Sequence, residues 1–317
     1  MTNFQIYRKI LSFSLLMFLV DLLSLALLVG LGIAGFFIAG EHALIGLAVG
    51  LLLGMIAMIL INIFIKNRIK AAQISIMVKG ITENQLPDRA FKAGFEEIKG
   101  RFGRITAFFF ITNAIKGIFR QLGRTINRIG TAVGGQAGNS VTSIIDSAIQ
   151  TLIAYLADCC LGWILYRRDV NVAKAGCEGA VIFFKHGKTL IRNVGRIFGM
   201  GFLSFLLIGG GSFGIIFLIL NSFPDTFSLL SQELIKVMGS EAPEFASDVL
   251  TLTIVVSAFG GLFFWVTMHS VFIRPFILVG VMRNFMVAGQ QDIPTESDFA
   301  LLDARSSKFA RLHNSME

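Results

Sequence analysis

Two long apolar runs near the start of the chain constrain its fold more than any other feature. The first covers residues 10–39 and is interrupted only by Asp21, and the second covers residues 43–65. A helix that crosses a bilayer needs about 20 predominantly apolar residues. The link between the runs is very short, so the two segments are predicted to form a transmembrane helical hairpin.

Further apolar runs at residues 148–165, 197–220 and 249–287 extend this interpretation along the chain. The sequence is 54% hydrophobic and only 15% charged, whereas a soluble domain is nearer 45–50% apolar and about 25% charged. The predicted fold class is therefore all-α, a polytopic helical membrane protein. The last run is too long for one upright helix, and Gly260–Gly261 and Pro275 are predicted to bend or divide it.

The polar segments between the runs predict the topology. Segment 66–104 carries nine Lys and Arg residues against four acids, segment 167–196 carries seven against two, and segment 221–248 is acidic. Basic loops tend to remain on the cytoplasmic side. If residues 148–165 span, both basic segments can be cytoplasmic only when the chain also crosses the membrane between residues 104 and 147.

Arg8 and Lys9 place the N-terminus in the cytoplasm, and an even number of crossings places the C-terminus there as well. About six transmembrane helices are predicted, in a single domain over residues 1–288. A polar cytoplasmic tail, expected to be only partly ordered, follows over residues 289–317. The predicted spans are 10–39, 43–65, 105–128, 148–165, 197–220 and 249–273, and the predicted interfacial or cytoplasmic helices are 67–103 and 172–196.

Residues 104–128, RITAFFFITNAIKGIFRQLGRTINR, are the candidate for the additional crossing. Lys116, Arg120, Arg124 and Arg128 recur every four residues, which on a helix aligns them in one row, the basic stripe. A cation at the centre of a lipid-facing helix costs about 2.5–3.5 kcal/mol. The segment is therefore predicted to cross within a bundle, its basic stripe facing a polar interior. The alternative is that it lies flat on the membrane surface.

Carboxylates within apolar runs are candidates for function. Asp21 lies midway along the first run and Asp158 midway along residues 148–165. We expect both to line a solute pathway together with the basic stripe. The alternative for each is a structural ion pair or a side chain that reaches the membrane interface.

Two other patterns predict helix contacts. Gly46, Gly50 and Gly54 place small residues on one face of the second helix, which allows another helix, or a second copy of the chain in a homo-oligomer, to approach closely. Residues 172–196 form a basic amphipathic pattern typical of a helix at the membrane surface. Its cations, predicted to meet anionic lipid headgroups, are Lys185, Lys188, Arg192 and Arg196.

Two stretches resemble the choline-transporter-like family: Ala180–Ile197, AVIFFKHGKTLIRNVGRI, and Arg274–Met286, RPFILVGVMRNFM. In that family a short amphipathic segment ending in an Arg-Asn pair precedes a span, and Arg192–Asn193 stands in that place. The resemblance covers roughly a third of the chain and implies facilitated movement of a quaternary amine or related lipid precursor. Such a cation site would use aromatic rings and a carboxylate. Tyr155 shares a helical face with Asp158, which adds Tyr155 to the predicted pathway.

Other classes of function lack a sequence signal. No Walker A, GxSxG, HExxH or dinucleotide-binding pattern occurs, so neither an enzyme nor a cofactor is predicted. The histidines are isolated and the three cysteines lack metal-ligand spacing, so no metal site is predicted. The net charge of +8 lies mainly in the basic loops, which favours anionic phospholipids as partners over nucleic acid.

The predicted function is a transporter-like or channel-like bundle that moves a small polar or cationic solute across a membrane. The alternative is a non-catalytic membrane scaffold or assembly subunit that binds anionic lipid or a partner through its basic amphipathic helices. The two hypotheses differ in the side of the membrane on which residues 129–145 lie.

Overall fold

The computed structural model describes residues 1–131, 139–223 and 248–315, together with Ser228 and Gln232 between the last two ranges. Every regular element in these residues is helical, which confirms the predicted all-α class. The helices are α1 (Asn3–Ile38), α2 (Ala43–Ile61), α3 (Asn67–Thr82), α4 (Ala90–Lys99), α5 (Phe102–Thr131), α6 (Asn139–Tyr166), α7 (Val172–Ser204), α8 (Gly211–Asn221), α9 (Val249–Met268), α10 (Arg274–Gln291), α11 (Glu296–Arg305) and α12 (Ser307–Asn314). The π-helical turns Asn62–Lys66, Phe205–Gly210 and His269–Ile273 connect α2 to α3, α7 to α8 and α9 to α10.

The chain forms two compact units. The first comprises Met1–Gly195 and Pro275–Glu317, and the second comprises Arg196–Arg274. The first unit contains the α1–α2 hairpin and a group of helices called the helical body below. The helical body consists of α3–α6, the part of α7 up to Gly195, and α10–α12.

Within the described part of the chain, four helical stretches are long and apolar enough to cross a membrane: Asn3–Ile38, Ile45–Thr82, Gly199–Asn221 and Val249–Gln291. Only 11–22% of the most apolar window of each stretch is buried inside the protein. Apolar side chains that the protein leaves uncovered require another apolar environment, which a bilayer supplies. The structure thus supports the prediction of a helical membrane protein.

The predicted crossings at residues 105–128 and 148–165 are not among these four stretches. The apolar part of α6, Thr151–Tyr166, is shorter than a spanning helix, and the C-terminal half of α5 carries the basic stripe. The number of spans therefore stays a prediction. Four spans satisfy the charge pattern as well as six, because both counts return the chain to its starting side.

The α1–α2 hairpin is held together by its glycines. A methyl group at Gly46 would lie 2.1 Å from the carbonyl oxygen of Gly35, and one at Gly50 would lie 2.1 Å from that of Leu31. At Gly54 it would lie 2.8 Å from Cα of Leu28. The predicted packing face of the second helix is thus occupied by α1 of the same chain.

α1 passes from a protein environment to an uncovered one along its length. Near its start, Ile6, Ile10 and Phe13 are fully buried, and Phe13 packs against aromatic rings of α4. Further along, Leu19 and Leu23 are 59% and 64% exposed. The first turns of α1 therefore join the helical body, and the remainder forms the apolar hairpin.

α6 is the central helix of the helical body. Its Leu161 and Trp163 are fully buried, and it packs against α3 and α5. Side chains of α10 and α7 complete its surroundings, because Met282 contacts the position of Gly162 and Cys160 lies against Gly179. The apolar residues of α6, from which a transmembrane span was predicted, are therefore buried within the protein itself.

The tail is ordered, contrary to the expectation from its polar sequence. α11 begins with a capping box formed by Thr295 and Asp298. Phe299 and Phe309 are buried and stacked on one another, and Ser306 donates a hydrogen bond of 3.0 Å to Gln121 of α5. The stacked rings join α11 to α12, and the hydrogen bond to Gln121 joins this pair of helices to α5.

The long apolar run changes from α-helix to a π turn at His269–Ile273, just before Pro275, within the continuous helical stretch Val249–Gln291. Proline lacks the N–H that would bond the carbonyl of Val271, which accounts for the change of helix type at this point. Gly260 and Gly261 lie within α9. A methyl group at Gly261 would lie 2.9 Å from the backbone nitrogen of Phe213, so this glycine permits close helix packing.

Candidate functional site

Asp158 forms an ion pair in the interior of the helical body. Its Oδ1 lies 2.5 Å from Nζ of Lys70 on α3, and its side chain is 6% exposed, against 29% for Lys70. Tyr155, one turn earlier on α6, is also buried. A nearby cation offsets much of the desolvation penalty of a buried carboxylate. The geometry at Asp158 matches the structural ion pair that the sequence left open as the alternative to a cation site.

Glu178 is a second buried carboxylate of the helical body, and no pattern in the sequence had singled it out. Its Oε2 accepts hydrogen bonds of 2.7 Å from Nε1 of Trp163 and 3.1 Å from Nη1 of Arg167. Burial raises the pKa of Glu178 above its ordinary value, and the hydrogen bond from Trp163 and the charge of Arg167 only partly oppose that effect. Trp163 thus donates its indole N–H to a partner inside the helical body.

Glu97 on α4 gathers cations from three elements. Its carboxylate pairs with Lys79 of α3 at 2.6 Å, with Arg168 after α6 at 3.1 Å, and with Arg101 one turn further along. Burial raises the pKa of Glu97, but the hydrogen bond from Lys79 and the charges of the three cations outweigh it, so the pKa is lowered overall. A cavity of about 230 Å³ lies beside this cluster.

The C-terminus of α6 is capped by arginines from the start of α5 and the residues before it. Arg101 donates to the carbonyl of Leu165 at 3.1 Å, and Arg104 donates to the carbonyls of Ile164 and Arg167 at 3.3 and 2.7 Å. The last carbonyls of a helix lack internal partners and carry partial negative charge. These arginines of the basic 66–104 segment therefore stabilise the fold, in addition to any role in topology.

α5 lies in the helical body with its apolar face inward. Ile115, Ile118 and Phe119 are fully buried, and Phe119 packs edge-to-face on Phe183 of α7. Of the basic stripe, Lys116 is half-buried and Arg120 is exposed. The side chains of Arg124 and Arg128 lie outside the described residues. At the two described positions the basic stripe does not face an enclosed interior, because neighbouring helices cover the opposite, apolar side of α5.

Lys185, a predicted headgroup ligand, contacts acids of the tail. Its Nζ lies 2.8 Å from Asp292 and 3.2 Å from Asp298. The neighbouring apolar residues Val181 and Ile182 are buried in protein. The described part of this amphipathic segment therefore packs in the helical body. The side chains of the other three predicted ligands, Lys188, Arg192 and Arg196, lie outside the described residues.

Asp21 lies at the end of the hairpin nearest the helical body. Its Oδ1 is 2.5 Å from Nζ of Lys66, and both side chains are about 30% exposed. Lys66 ends the π turn that follows α2. Like Asp158, Asp21 is therefore part of an ion pair, in this case one that joins the two helices of the hairpin.

A cleft of about 410 Å³ opens beside this end of the hairpin, between the π turn with the start of α3 and the N-terminal half of α5. It is called the foot cleft below. Its apolar residues include Ile63, Phe64 and Phe109, and its polar residues include Asn67, Arg68 and Asn113. Sequence reasoning missed it, since its two walls are separated by about forty residues along the chain. The only local signal was the change from apolar to basic residues at Lys66.

Among the described residues, no group of three or more His, Cys, Asp or Glu side chains is placed to hold a metal ion. Comparisons with protein-family models, with curated proteins and with solved structures gave no match to this chain.

Proposed function

We propose that this chain is a non-catalytic membrane scaffold, in which helical hairpins anchor a folded helical body at the cytoplasmic surface of a membrane. The observation that carries the proposal is the packing of α6. The sequence placed two of the predicted pathway residues, Tyr155 and Asp158, on this helix. Its ionisable group Asp158 pairs with Lys70, and its Trp163 with Glu178, inside a protein core.

The charge pattern supports four crossings for such a scaffold. If neither α5 nor α6 spans, residues 66–196 remain on one side, and the basic segments 66–104 and 167–196 are both cytoplasmic. The acidic segment 221–248 is then outside, and both termini are inside. A bilayer-spanning α5 would carry the four cations of the basic stripe, each costing about 2.5–3.5 kcal/mol at the centre of a lipid-facing helix.

The exposed cations of the helical body would face anionic phospholipid at the cytoplasmic surface. Each basic residue close to such a surface contributes about 1 kcal/mol of attraction. Arg68 and Arg120 are exposed in the described structure. Membrane anchoring and surface attraction together would hold the helical body close to the bilayer, where a partner could bind it.

Cysteine labelling tests the topology. A Ser140→Cys variant, probed with an impermeant maleimide in right-side-out and inverted vesicles, should react only from the cytoplasmic side. The native cysteines are buried, so their background labelling should be low. His42→Cys in the hairpin turn and Lys92→Cys on α4 serve as controls for the outer and inner sides. Labelling of Ser140→Cys from outside would contradict the four-span scaffold and restore six crossings.

Solute transport is a second candidate, favoured by one observation in the second unit. Ser204 Oγ lies 3.1 Å from Nδ1 of His269 and accepts a 3.1 Å hydrogen bond from Nε1 of Trp265. π turns adjoin the cluster at Phe205–Gly210 and His269–Ile273, and such turns occur frequently at functional sites. A histidine within an apolar span is a candidate for function.

Uptake of radiolabelled choline into proteoliposomes tests this second candidate, since the resemblance to choline-transporter-like proteins implies a quaternary amine. Transport predicts uptake above that of empty liposomes, and its loss in His269→Ala and Asp158→Asn, with Gly30→Ala as an unaffected control. Uptake equal to that of empty liposomes would contradict choline transport and leave the scaffold as the proposal.

A further inference from the structure

The foot cleft combines two kinds of wall at the place where a membrane would end. Ile63 and Phe64 are 52% and 56% exposed and continue the uncovered apolar surface of α2. Asn67 and Arg68 follow them directly on α3, and Asn113 faces the same cleft from α5. The apolar part therefore opens toward the hairpin surface, and the polar part adjoins the helical body.

The depth of the cleft agrees with the thickness of a bilayer. α2 begins at Ala43, and at about 1.5 Å of rise per residue Phe64 lies roughly 30 Å further along the helix axis. The hydrocarbon core of a bilayer is also about 30 Å thick. If the turn before α2 lies at the outer surface, the polar residues of the foot cleft lie at the level of the inner headgroups.

A π turn shapes this part of the helix. Asn62–Lys66 forms the turn, and Ile63 and Phe64, two of the apolar residues lining the cleft, lie within it. One extra residue per turn changes the direction in which the following side chains leave the helix, and π turns are frequent at binding sites. The 410 Å³ volume is within the usual range of about 300–1,000 Å³ for ligand pockets.

We propose that the foot cleft binds one anionic phospholipid of the inner leaflet. The proposal rests on the membrane-anchored arrangement proposed above. Arg68 would pair with the phosphate, and the amides of Asn67 and Asn113 would donate further hydrogen bonds. An acyl chain would lie against Phe64 and Phe109. The cationic and amide donors select an anionic headgroup, and the apolar wall selects a lipid over a free phosphate.

Native mass spectrometry of the detergent-purified full chain tests the proposal by resolving the first bound lipid. Phosphatidylglycerol should bind more tightly than phosphatidylcholine. Arg68→Gln should weaken the first phosphatidylglycerol by about tenfold or more, since a hydrogen bond to a charged group is lost. Arg68→Lys should restore part of the affinity, and Arg89→Gln, an exposed arginine at the start of α4, should leave it unchanged.

A second variant tests the cavity itself. Thr106 also lines the foot cleft, and Thr106→Phe should occlude it and reduce binding without changing the charge. The proposal would be overturned if the two lipids bound equally well. It would also be overturned if Arg68→Gln left binding unchanged, or if Thr106→Phe did. Displacement of the lipid by inorganic phosphate at equal concentration would overturn the lipid as the source of the anion. If lipid binding failed these tests while Ser140→Cys was labelled only from the cytoplasmic side, the lipid proposal would be wrong and the scaffold topology would still be supported.

Discussion

Removal of Lys70 should destabilise the helical body more than removal of its partner Asp158. Lys70→Met leaves the Asp158 carboxylate, which is 6% exposed, without that cation. Breaking a buried pair in this way costs about 3–5 kcal/mol. Asp158→Asn leaves Lys70, which is 29% exposed and can move its ammonium toward water on a flexible stem. We expect about 1–3 kcal/mol for that change.

The double variant Lys70→Met/Asp158→Asn measures the interaction between the two side chains, apart from the effect of each substitution alone. Because neither charge then remains, its destabilisation should fall short of the sum of the single changes by about 1–3 kcal/mol. Lys92→Met is a surface control, since Lys92 is 69% exposed and its ion pair with Glu96 is long, at 3.7 Å. Exposed pairs of this kind contribute about 0–1 kcal/mol.

Thermal unfolding of the purified chain in one detergent provides the measurement. Trp163 is fully buried in the helical body, so the change in its fluorescence reports unfolding there, and Trp265→Phe removes the signal of the second tryptophan. Apparent Tm values should be compared at one scan rate, because membrane proteins often unfold irreversibly. Equal losses from both single variants, or additive losses in the double variant, would refute the assignment of Asp158 and Lys70 as a buried structural pair.

Two further comparisons test packing and pH dependence. Gly50→Ala should destabilise the hairpin by about 1–3 kcal/mol through overpacking, while Gly30→Ala, with no atom within 4 Å of the new methyl group, should leave the apparent Tm unchanged or slightly higher. The folded-state pKa is raised at Glu178 and lowered at Glu97. Stability from Glu178 is therefore lost as pH rises above about 4.5, whereas stability from Glu97 is lost as pH falls below it. The Tm of Glu178→Gln minus that of the parent should accordingly increase with pH. The same difference for Glu97→Gln should decrease with pH. If both differences changed with pH in the same direction, the two carboxylates would not lie in these opposite environments.

Much of the architecture could be predicted because it depends on local pattern. Apolar runs of sufficient length identify the first hairpin, and the spacing of Gly46, Gly50 and Gly54 identifies its contact face. Pro87 lies between α3 and α4, because proline cannot continue a helix at that position. The four-residue spacing of Lys116 and Arg120 places them on the face of α5 opposite its buried residues Ile115, Ile118 and Phe119.

The environment of α6 could not be predicted in the same way. The largely apolar run 148–165 reads identically whether it faces lipid or the core of a protein, since both environments remove its apolar side chains from water. Asp158 then suggested a functional group in a membrane, while its partner Lys70 lies far away in the sequence, on α3. The order of the tail was not predicted for a related reason: most of its residues are polar, and its buried rings Phe299 and Phe309 meet only in the folded structure.

The sequence by itself determined that this chain is helical, that it contains segments long and apolar enough to cross a membrane, and where its first hairpin turns. These properties follow from the hydrophobicity and spacing of neighbouring residues. Only the tertiary structure decided that α5 and α6 pack in a helical body and that Asp21 and Asp158 pair with lysines. It alone brought Phe64, Arg68 and Phe109 to one cleft. Those contacts join residues distant in the chain, and local periodicity carries no information about which distant side chains will meet.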